Sequence, residues 1–171
     1  MVNNLVNFFV TTFGGLTSLK FGREILVFII SMMPILELRG GLIAASLLGL
    51  SGVKSFIICL IGNIIPIPLI LWFITPLFDK LKKTKKLSKL VNKLETKAMN
   101  KKDQIEKLKY WGLLLFVGIP LPGTGAWTGC LIAALLGMDK KKSMLAAIGG
   151  VVMAGIIMMI LSFGLLKGII G

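Results

Sequence analysis

The chain has 171 residues and is 56% hydrophobic, above the share of about 45–50% in soluble domains, so we predict an integral membrane protein. Its formal net charge is +13, but twelve of the 20 basic residues lie between Asp79 and Lys109, a stretch without the aromatic side chains that single-strand nucleic-acid binders use for stacking, so we expect no nucleic acid. Because the chain contains no histidine, it lacks the commonest metal ligand and catalytic base, and we predict a non-enzyme without a metal or cofactor.

The first 22 residues are predicted to form an N-terminal interfacial helix, because three asparagines and a glycine pair interrupt their apolar side chains. A short spanning segment from Leu5 to Leu19 is the competing interpretation. Neither interpretation assigns the N-terminus to one side of the membrane.

Residues 23–78 form the first half of a predicted repeat. Two apolar arms flank the break PILELRGG, which begins at Pro34, and together they make a hairpin over residues 23–50. Each arm has about 10–15 residues and rises roughly 15–22 Å, which is too short to cross about 30 Å of hydrocarbon. We therefore predict a re-entrant hairpin, followed by a transmembrane helix over residues 54–78 that Pro66 and Pro68 interrupt.

Residues 110–171 repeat this plan, and an offset of 88 positions pairs the small-residue arms GLIAASLLG and GCLIAALLG. A second hairpin over residues 110–138 contains the break PLPGTGAWTG with Pro120 and Pro122, and a transmembrane helix follows over residues 143–170. A hairpin enters and leaves on one face, whereas each half ends with a single crossing. The predicted fold is therefore an all-α membrane protein of two inverted repeats, with both hairpin tips meeting around a polar site.

The basic segment 79–109 is predicted to lie in the cytoplasm, because it and residues 140–142 place fifteen lysines on one side of a multi-pass protein of the cytoplasmic membrane. Apolar residues recur in it at helical spacing, and they are Leu87, Leu90, Val91, Leu94 and Ala98. This stripe favours a helix lying on anionic lipid. A solvated helix that serves only as a topology signal is the alternative.

Glu37 and Arg39 are the only charged residues of the first break. Ionisable groups are costly in an apolar setting, so we expect a functional role: Glu37 takes up and releases protons, and Arg39 either opposes this proton uptake or binds an anionic substrate. The alternative is structural, with Glu37 stabilising the positive end of the following helix and Arg39 bound to loop carbonyls or to Glu37 itself.

The second break offers Gly123, Thr124 and Gly125 ahead of a helix, where N–H groups and a hydroxyl could receive a phosphate or carboxylate. A tight turn that needs small residues is the alternative. Trp127 either lines a cavity or packs in the wall, and Asn63 either bridges backbone groups freed by the prolines or faces the substrate.

Three motifs carry a family resemblance: PILELRGG, GNIIPIP, and PLPGTGAWTG followed by AALLGM. They resemble those of the small multi-drug export protein family over roughly residues 24–165, and more distantly those of the DedA or VTT-domain superfamily, some members of which are implicated in flipping lipid phosphates such as undecaprenyl phosphate. The resemblance implies that Glu37 and Arg39 occupy the positions of an acidic and a basic residue considered important in that superfamily. The chain departs from it at Gly125 and Trp127, which stand where the repeat places counterparts of these two residues.

The resulting prediction is a proton-coupled transporter of a small amphipathic or anionic compound. A DedA-like flippase of a lipid phosphate is one alternative, and a membrane scaffold that does not transport is the other. Because two spans and two hairpins leave much apolar surface uncovered, we also expect a homodimer.

Overall fold

The computed structural model describes residues 11–12, 21–83, 85–121 and 123–165, and these ranges contain no strand. The predicted interfacial helix over residues 1–22 lies almost wholly outside them. From residue 21 onward the helices are α1 (Gly22–Met32), α2 (Glu37–Leu47), α3 (Gly52–Ile64), α4 (Pro66–Lys82), α5 (Lys85–Met99), α6 (Lys102–Glu106), α7 (Lys109–Gly118), α8 (Ala126–Leu135) and α9 (Lys140–Met159), followed by a π-helical segment (Ile160–Leu165).

Two helical stretches of the described chain are long and apolar enough to cross a membrane, Gly52–Lys82 with 31 residues and Lys140–Phe163 with 24. They correspond to the predicted spans 54–78 and 143–170, of which residues 166–170 are not described. Along the first stretch every fourth residue is apolar and exposed, and these residues are Val53, Ile57, Ile61, Ile65, Leu69, Phe73 and Leu77. A continuous exposed apolar stripe is unusual in a soluble protein and marks a surface for lipid or for a protein partner.

The chain forms two compact units, Met1–Ile65 with Val151–Gly171 and Pro66–Gly150, called here the first and the second unit. Their boundaries fall inside both long apolar stretches. Each unit therefore combines one helix-break-helix hairpin with the first part of one long stretch and the second part of the other. This partition differs from that of the predicted sequence repeats, 23–78 and 110–171.

The first unit is held together by close contacts between α1, α2 and α3. A Cβ atom added to Gly41 would overlap the Ser31 hydroxyl and lie 2.8 Å from the Cys59 sulfur. Glycine therefore lets α2 approach both neighbours, as small residues do in membrane helices. Two residues after the end of α2, Gly49 has a φ of 70°, which allows the Leu50 N–H to reach the Ala45 carbonyl at 3.0 Å, a Schellman motif.

The second unit repeats these features. A Cβ atom on Gly129 would lie 2.8 Å from a methyl carbon of Val117, and α8 ends at Gly137 with φ 63° and a bond of 3.0 Å from the Met138 N–H to the Ala133 carbonyl. These positions follow the offset of 88.

The first arms follow a different offset. A Cβ atom on Gly62 would meet the Phe28 carbonyl at 2.9 Å, and one on Gly150 would meet the Leu114 carbonyl at 2.7 Å, which relates α1 to α7 by 86 positions. The second break is thus two residues longer than the first, and the single offset predicted from the sequence holds only beyond the breaks.

The basic segment packs against its own unit instead of standing apart from it. Helix α5 contacts α4 and α8, and α6 contacts α7 and α8. Val91 is only 2% exposed and Ile105 is fully buried, whereas Leu94 is 42% exposed. The side chains of Leu87, Leu90 and Ala98 lie outside the described part of the structure. Both predicted alternatives for this segment therefore omitted an interaction, because part of its apolar stripe is covered by protein.

Candidate functional site

The first predicted break is a four-residue turn between α1 and α2. Met33 leaves α1 in an extended conformation with ψ 141°, and its carbonyl accepts a bond of 2.9 Å from the Glu37 N–H. Pro34 is exposed, and the neighbouring Ile35 is 64% exposed. The turn is therefore short, internally hydrogen-bonded and open at its tip.

Glu37 begins α2 and combines burial with an unusual backbone. Its side chain is 5% exposed, and its φ of 51° lies in the left-handed region, which costs a non-glycine residue about 1–2 kcal/mol. Such strain persists only where surrounding structure fixes it, and it clusters at functional sites. The equivalent position of the second repeat is Gly125, with φ 139°, a value that glycine adopts without strain. Glu37 therefore carries a strain that a glycine at this position would avoid.

Arg39 is half-buried on the same helix, and the Glu37 carboxylate attracts its guanidinium. Glu37 also lies in the first turn of α2, where the helix dipole favours a negative charge. Both observations agree with the structural alternative, and neither removes the functional one. The pair consists of a buried carboxyl group and a nearby cation.

Asn63 lies in the last turn of α3 and is 3% exposed. Its side-chain oxygen is buried without a hydrogen-bond partner. Pro66 has no N–H, so the Gly62 carbonyl also loses the donor that a helix normally gives it. A freed carbonyl needs a donor, which the amide nitrogen of Asn63 has and its oxygen lacks, so both predicted roles of Asn63 stay predictions.

Pro66 and Pro68 interrupt the helical stretch less than predicted. The assigned helices are separated only by Ile65, whose φ of −54° and ψ of −44° remain helical, and the Ile65 N–H still reaches the Ile61 carbonyl at 3.2 Å. Proline is tolerated in the first turn of a helix because its fixed φ matches the helix. The hydrogen-bond ladder is weakened here, whereas the path of the chain continues.

The second break folds as a tight turn that uses its own polar groups. Gly123 has φ 78° and Gly125 has φ 139°, conformations that favour glycine. The Thr124 hydroxyl lies 2.9 Å from the Leu121 carbonyl and 3.0 Å from the Ile119 carbonyl, so its proton is used within the turn. Pro120 is half-buried in this turn, and Pro122 lies outside the described residues. These contacts favour the structural alternative for the motif.

Lys101 brings a charge to this turn that sequence reasoning missed. Its ammonium donates to the Gly123 carbonyl at 2.6 Å and lies 5.9 Å from the centre of the Phe116 ring, within the range of a cation–π interaction. Nothing distinguishes Lys101 from the other lysines of the basic segment in the sequence. Only the packing of α6 along α7 reveals the contact.

A cavity of about 220 Å³ lies beside this contact in the second unit, and its walls include Leu108, Leu115, Phe116, Ile119, Leu121 and Thr124. It is an apolar groove with the Lys101 ammonium nearby. Trp127 is half-buried in α8 and is not part of these walls.

The predicted site residues thus fall into two groups. Glu37, Arg39 and Asn63 belong to the first unit, whereas Gly123–Gly125 and Trp127 belong to the second. Among the described residues, no group of three or more His, Cys, Asp or Glu side chains is arranged to hold a metal ion.

A family model described as "Putative small multi-drug export protein" matches residues 37–157 of the chain, a range that begins at Glu37 and contains every predicted site residue after it. No curated protein and no solved structure matches the chain.

Proposed function

The chain belongs to the small multi-drug export protein family, and on this premise we propose that it is a transporter that moves a small amphipathic or anionic compound across the cytoplasmic membrane in exchange for protons. The exposed apolar stripe and the two long apolar stretches support the membrane setting. The observation that carries the proton coupling is Glu37, an acid that is 5% exposed at a strained position of a helix break.

Glu37 suits this role because opposing forces act on its charge. Burial favours the neutral carboxyl, since removing a charge from water is costly. The attraction of Arg39 favours the carboxylate. A group held between these two influences can load and release a proton when a modest movement changes either of them.

Transport driven by a proton gradient tests the proposal. Everted membrane vesicles with an acidic interior should accumulate ethidium when they contain the wild-type protein, and Glu37→Gln should abolish the part that depends on the gradient. Glu24→Gln is the matched control, because it removes the same charge from an exposed ion pair with Lys54. Gradient-dependent accumulation by Glu37→Gln at the wild-type rate would contradict the role of this residue.

The proposed topology keeps the basic segment in the cytoplasm, on the strength of its lysines, and keeps the two sequence repeats in opposite orientations. Ser51 and Lys141 are exposed near the equivalent helix starts of the two repeats. In a Cys59→Ala/Cys130→Ala background, an impermeant maleimide added outside intact cells should label Ser51→Cys and leave Lys141→Cys unlabelled. Labelling of both from one face would exclude the inversion.

The exposed lysines of α5 further support the proposal that this segment binds anionic lipid, and the uncovered apolar stripes support a homodimer. A vesicle-binding assay with purified protein in detergent, comparing phosphatidylglycerol with phosphatidylcholine, tests the first. Cross-linking in native membranes tests the second.

The cavity beside Lys101 favours a second candidate, a flippase of a lipid phosphate, because it pairs an apolar groove with an ammonium. In liposomes, this candidate predicts translocation of a fluorescent polyprenyl phosphate that Arg39→Ala abolishes. The exporter predicts ethidium transport instead. Comparing both substrates in one preparation separates the two.

A further inference from the structure

The side-chain oxygen of Asn63 is buried and receives no hydrogen bond. It is one of two buried side-chain polar atoms without a partner among the described residues, and the other, the Ser143 hydroxyl, belongs to the second unit. A hydroxyl can rotate to find an acceptor, whereas an amide oxygen can only accept. Buried acceptors of this kind are rare, and each calls for a physical explanation.

The register of α2 against α3 identifies the nearest candidate. The two helices are consecutive, joined by residues 48–51, and Gly41 near the middle of one faces Cys59 near the middle of the other. They therefore run antiparallel. Glu37 lies four residues before Gly41 and Asn63 lies four residues after Cys59, so each is displaced by about 6 Å in the same direction and on the same helix face. Glu37 and Asn63 consequently occupy one layer.

The chemistry of the carboxyl group completes the argument. An ionised carboxylate only accepts hydrogen bonds and cannot satisfy the Asn63 oxygen, whereas a protonated carboxyl has an O–H to donate. We infer that Asn63 is the hydrogen-bond acceptor for protonated Glu37, so that the carboxyl exchanges its attraction to Arg39 for a bond to Asn63 when it takes up a proton. Asn63 is then a positioning residue that stabilises the loaded state. The inference rests on the proposed proton-carrying role of Glu37.

Few other groups compete for Glu37 in this layer. Among the described residues of the elements packed against α2, Arg23 and Glu24 lie in the first turn of α1, and Lys54 lies in the first turn of α3, all remote from the break. The buried Cys59 is one turn away, and neither the π-helical segment nor the part of α9 from residue 151 onward, which meets α2 at Leu38, carries a titratable side chain. Arg39, on α2 itself, is the only close charge that these elements present.

Infrared difference spectroscopy of the purified protein in liposomes tests the inference without a transport substrate. The chain has only seven acidic residues, and the C=O band of protonated Glu37 is identified by its loss in Glu37→Gln. Asn63→Leu keeps the side-chain volume and removes the acceptor. It should move this band to higher frequency and lower the proton affinity of Glu37 roughly three- to tenfold, the value of one net hydrogen bond.

Two control variants and one replacement variant accompany the test. Asn63→Gln retains an acceptor, so its band should shift less than that of Asn63→Leu. Ser143→Ala removes the other unpartnered atom and should leave the band unchanged. Asn63→Ala replaces Asn63→Leu if the larger side chain prevents folding.

The outcomes separate the inference from the proposed function. A band that titrates normally and does not move in either Asn63 variant overturns the inference, while the ethidium assay on Glu37→Gln still decides the transport proposal. Absence of a Glu37 band at every pH overturns the inference as well. A band shift in Asn63→Leu that is smaller in Asn63→Gln supports the inference.

Discussion

Replacing Gly41 by alanine tests the helix contacts on which the first unit depends. The added Cβ would overlap the Ser31 hydroxyl and lie 2.8 Å from the Cys59 sulfur, well inside the roughly 3.5–4.0 Å of ordinary contact. The Ser31 hydroxyl donates a bond of 2.8 Å to the Val27 carbonyl. It cannot move away without losing that bond, so the helices themselves must separate.

Overpacking of this kind costs about 1–3 kcal/mol. We expect Gly41→Ala to lower the free energy of unfolding by that amount, measured by denaturant titration of the purified protein in micelles. Gly49→Ala is the matched control, because no atom lies within 4 Å of its added Cβ and only its φ of 70° opposes alanine. The two substitutions change the same atoms, but only the first acts through neighbouring side chains.

A rescue experiment makes the reasoning refutable. In a Ser31→Ala/Cys59→Ala background the two closest atoms are gone and the Cβ atom of residue 31 remains at 3.2 Å. Gly41→Ala should then cost less than in the wild type, by more than the roughly 0.5 kcal/mol within which independent sites add. Gly49→Ala should cost the same in either background. An unchanged cost of Gly41→Ala would show that α2 does not meet α1 and α3 at this point, and the shared layer of Glu37 and Asn63 would fall with it.

Four further predictions concern the ends and turns of the helices. Asp139→Ala should destabilise the protein by about 0.5–2 kcal/mol, because the Asp139 carboxylate accepts a capping bond of 2.8 Å from the Lys142 N–H; Asp139→Asn should retain most of the stability in the same titration. Gly123→Ala should disrupt the second break, since its φ is 78° and its Cβ would lie 2.7 Å from the Lys101 ammonium, and Lys101→Ala should relieve only the second effect. Lys101→Ala alone removes the bond to the Gly123 carbonyl that holds this turn, so it should speed maleimide labelling of Leu121→Cys several-fold, whereas the neighbouring Lys102→Ala should not. The bond to Lys54 lowers the pKa of Glu24 from its ordinary 4.5, so this pair stabilises the folded state above that pH and loses its contribution as the pH falls through the lowered value; Glu24→Gln should remove this part of the acid dependence.

The sequence predicts much of the architecture because glycine and proline mark the ends of its helices. Gly49 and Gly137 end equivalent arms in the left-handed conformation, and both breaks fall where proline appears. The length of the second break escaped prediction, because Pro34 pairs with a proline at either offset, with Pro120 at 86 positions and with Pro122 at 88. Local chemistry fixes such turns, whereas the offset depends on packing across helices.

The site was less accessible to sequence reasoning. Glu37 stood out as a charge in an apolar setting, and the structure gives it the expected burial. The lack of a partner for Asn63 follows from the register of α3, and the Lys101 contact follows from the direction in which α6 leaves the basic segment. Neither is encoded within a few residues of the position concerned. The sequence therefore predicted the burial of Glu37, but it did not predict contacts that depend on residues of another helix.

Proton movement coupled to substrate movement tests the central claim most directly. Liposomes containing the purified protein and an internal pH indicator are given an ethidium gradient without a pH gradient. We predict that ethidium entering on the wild-type protein drives protons out, and that Glu37→Gln carries no such proton flux. Ethidium transport without a pH change, or proton flux in Glu37→Gln equal to that of the wild type, would contradict the account.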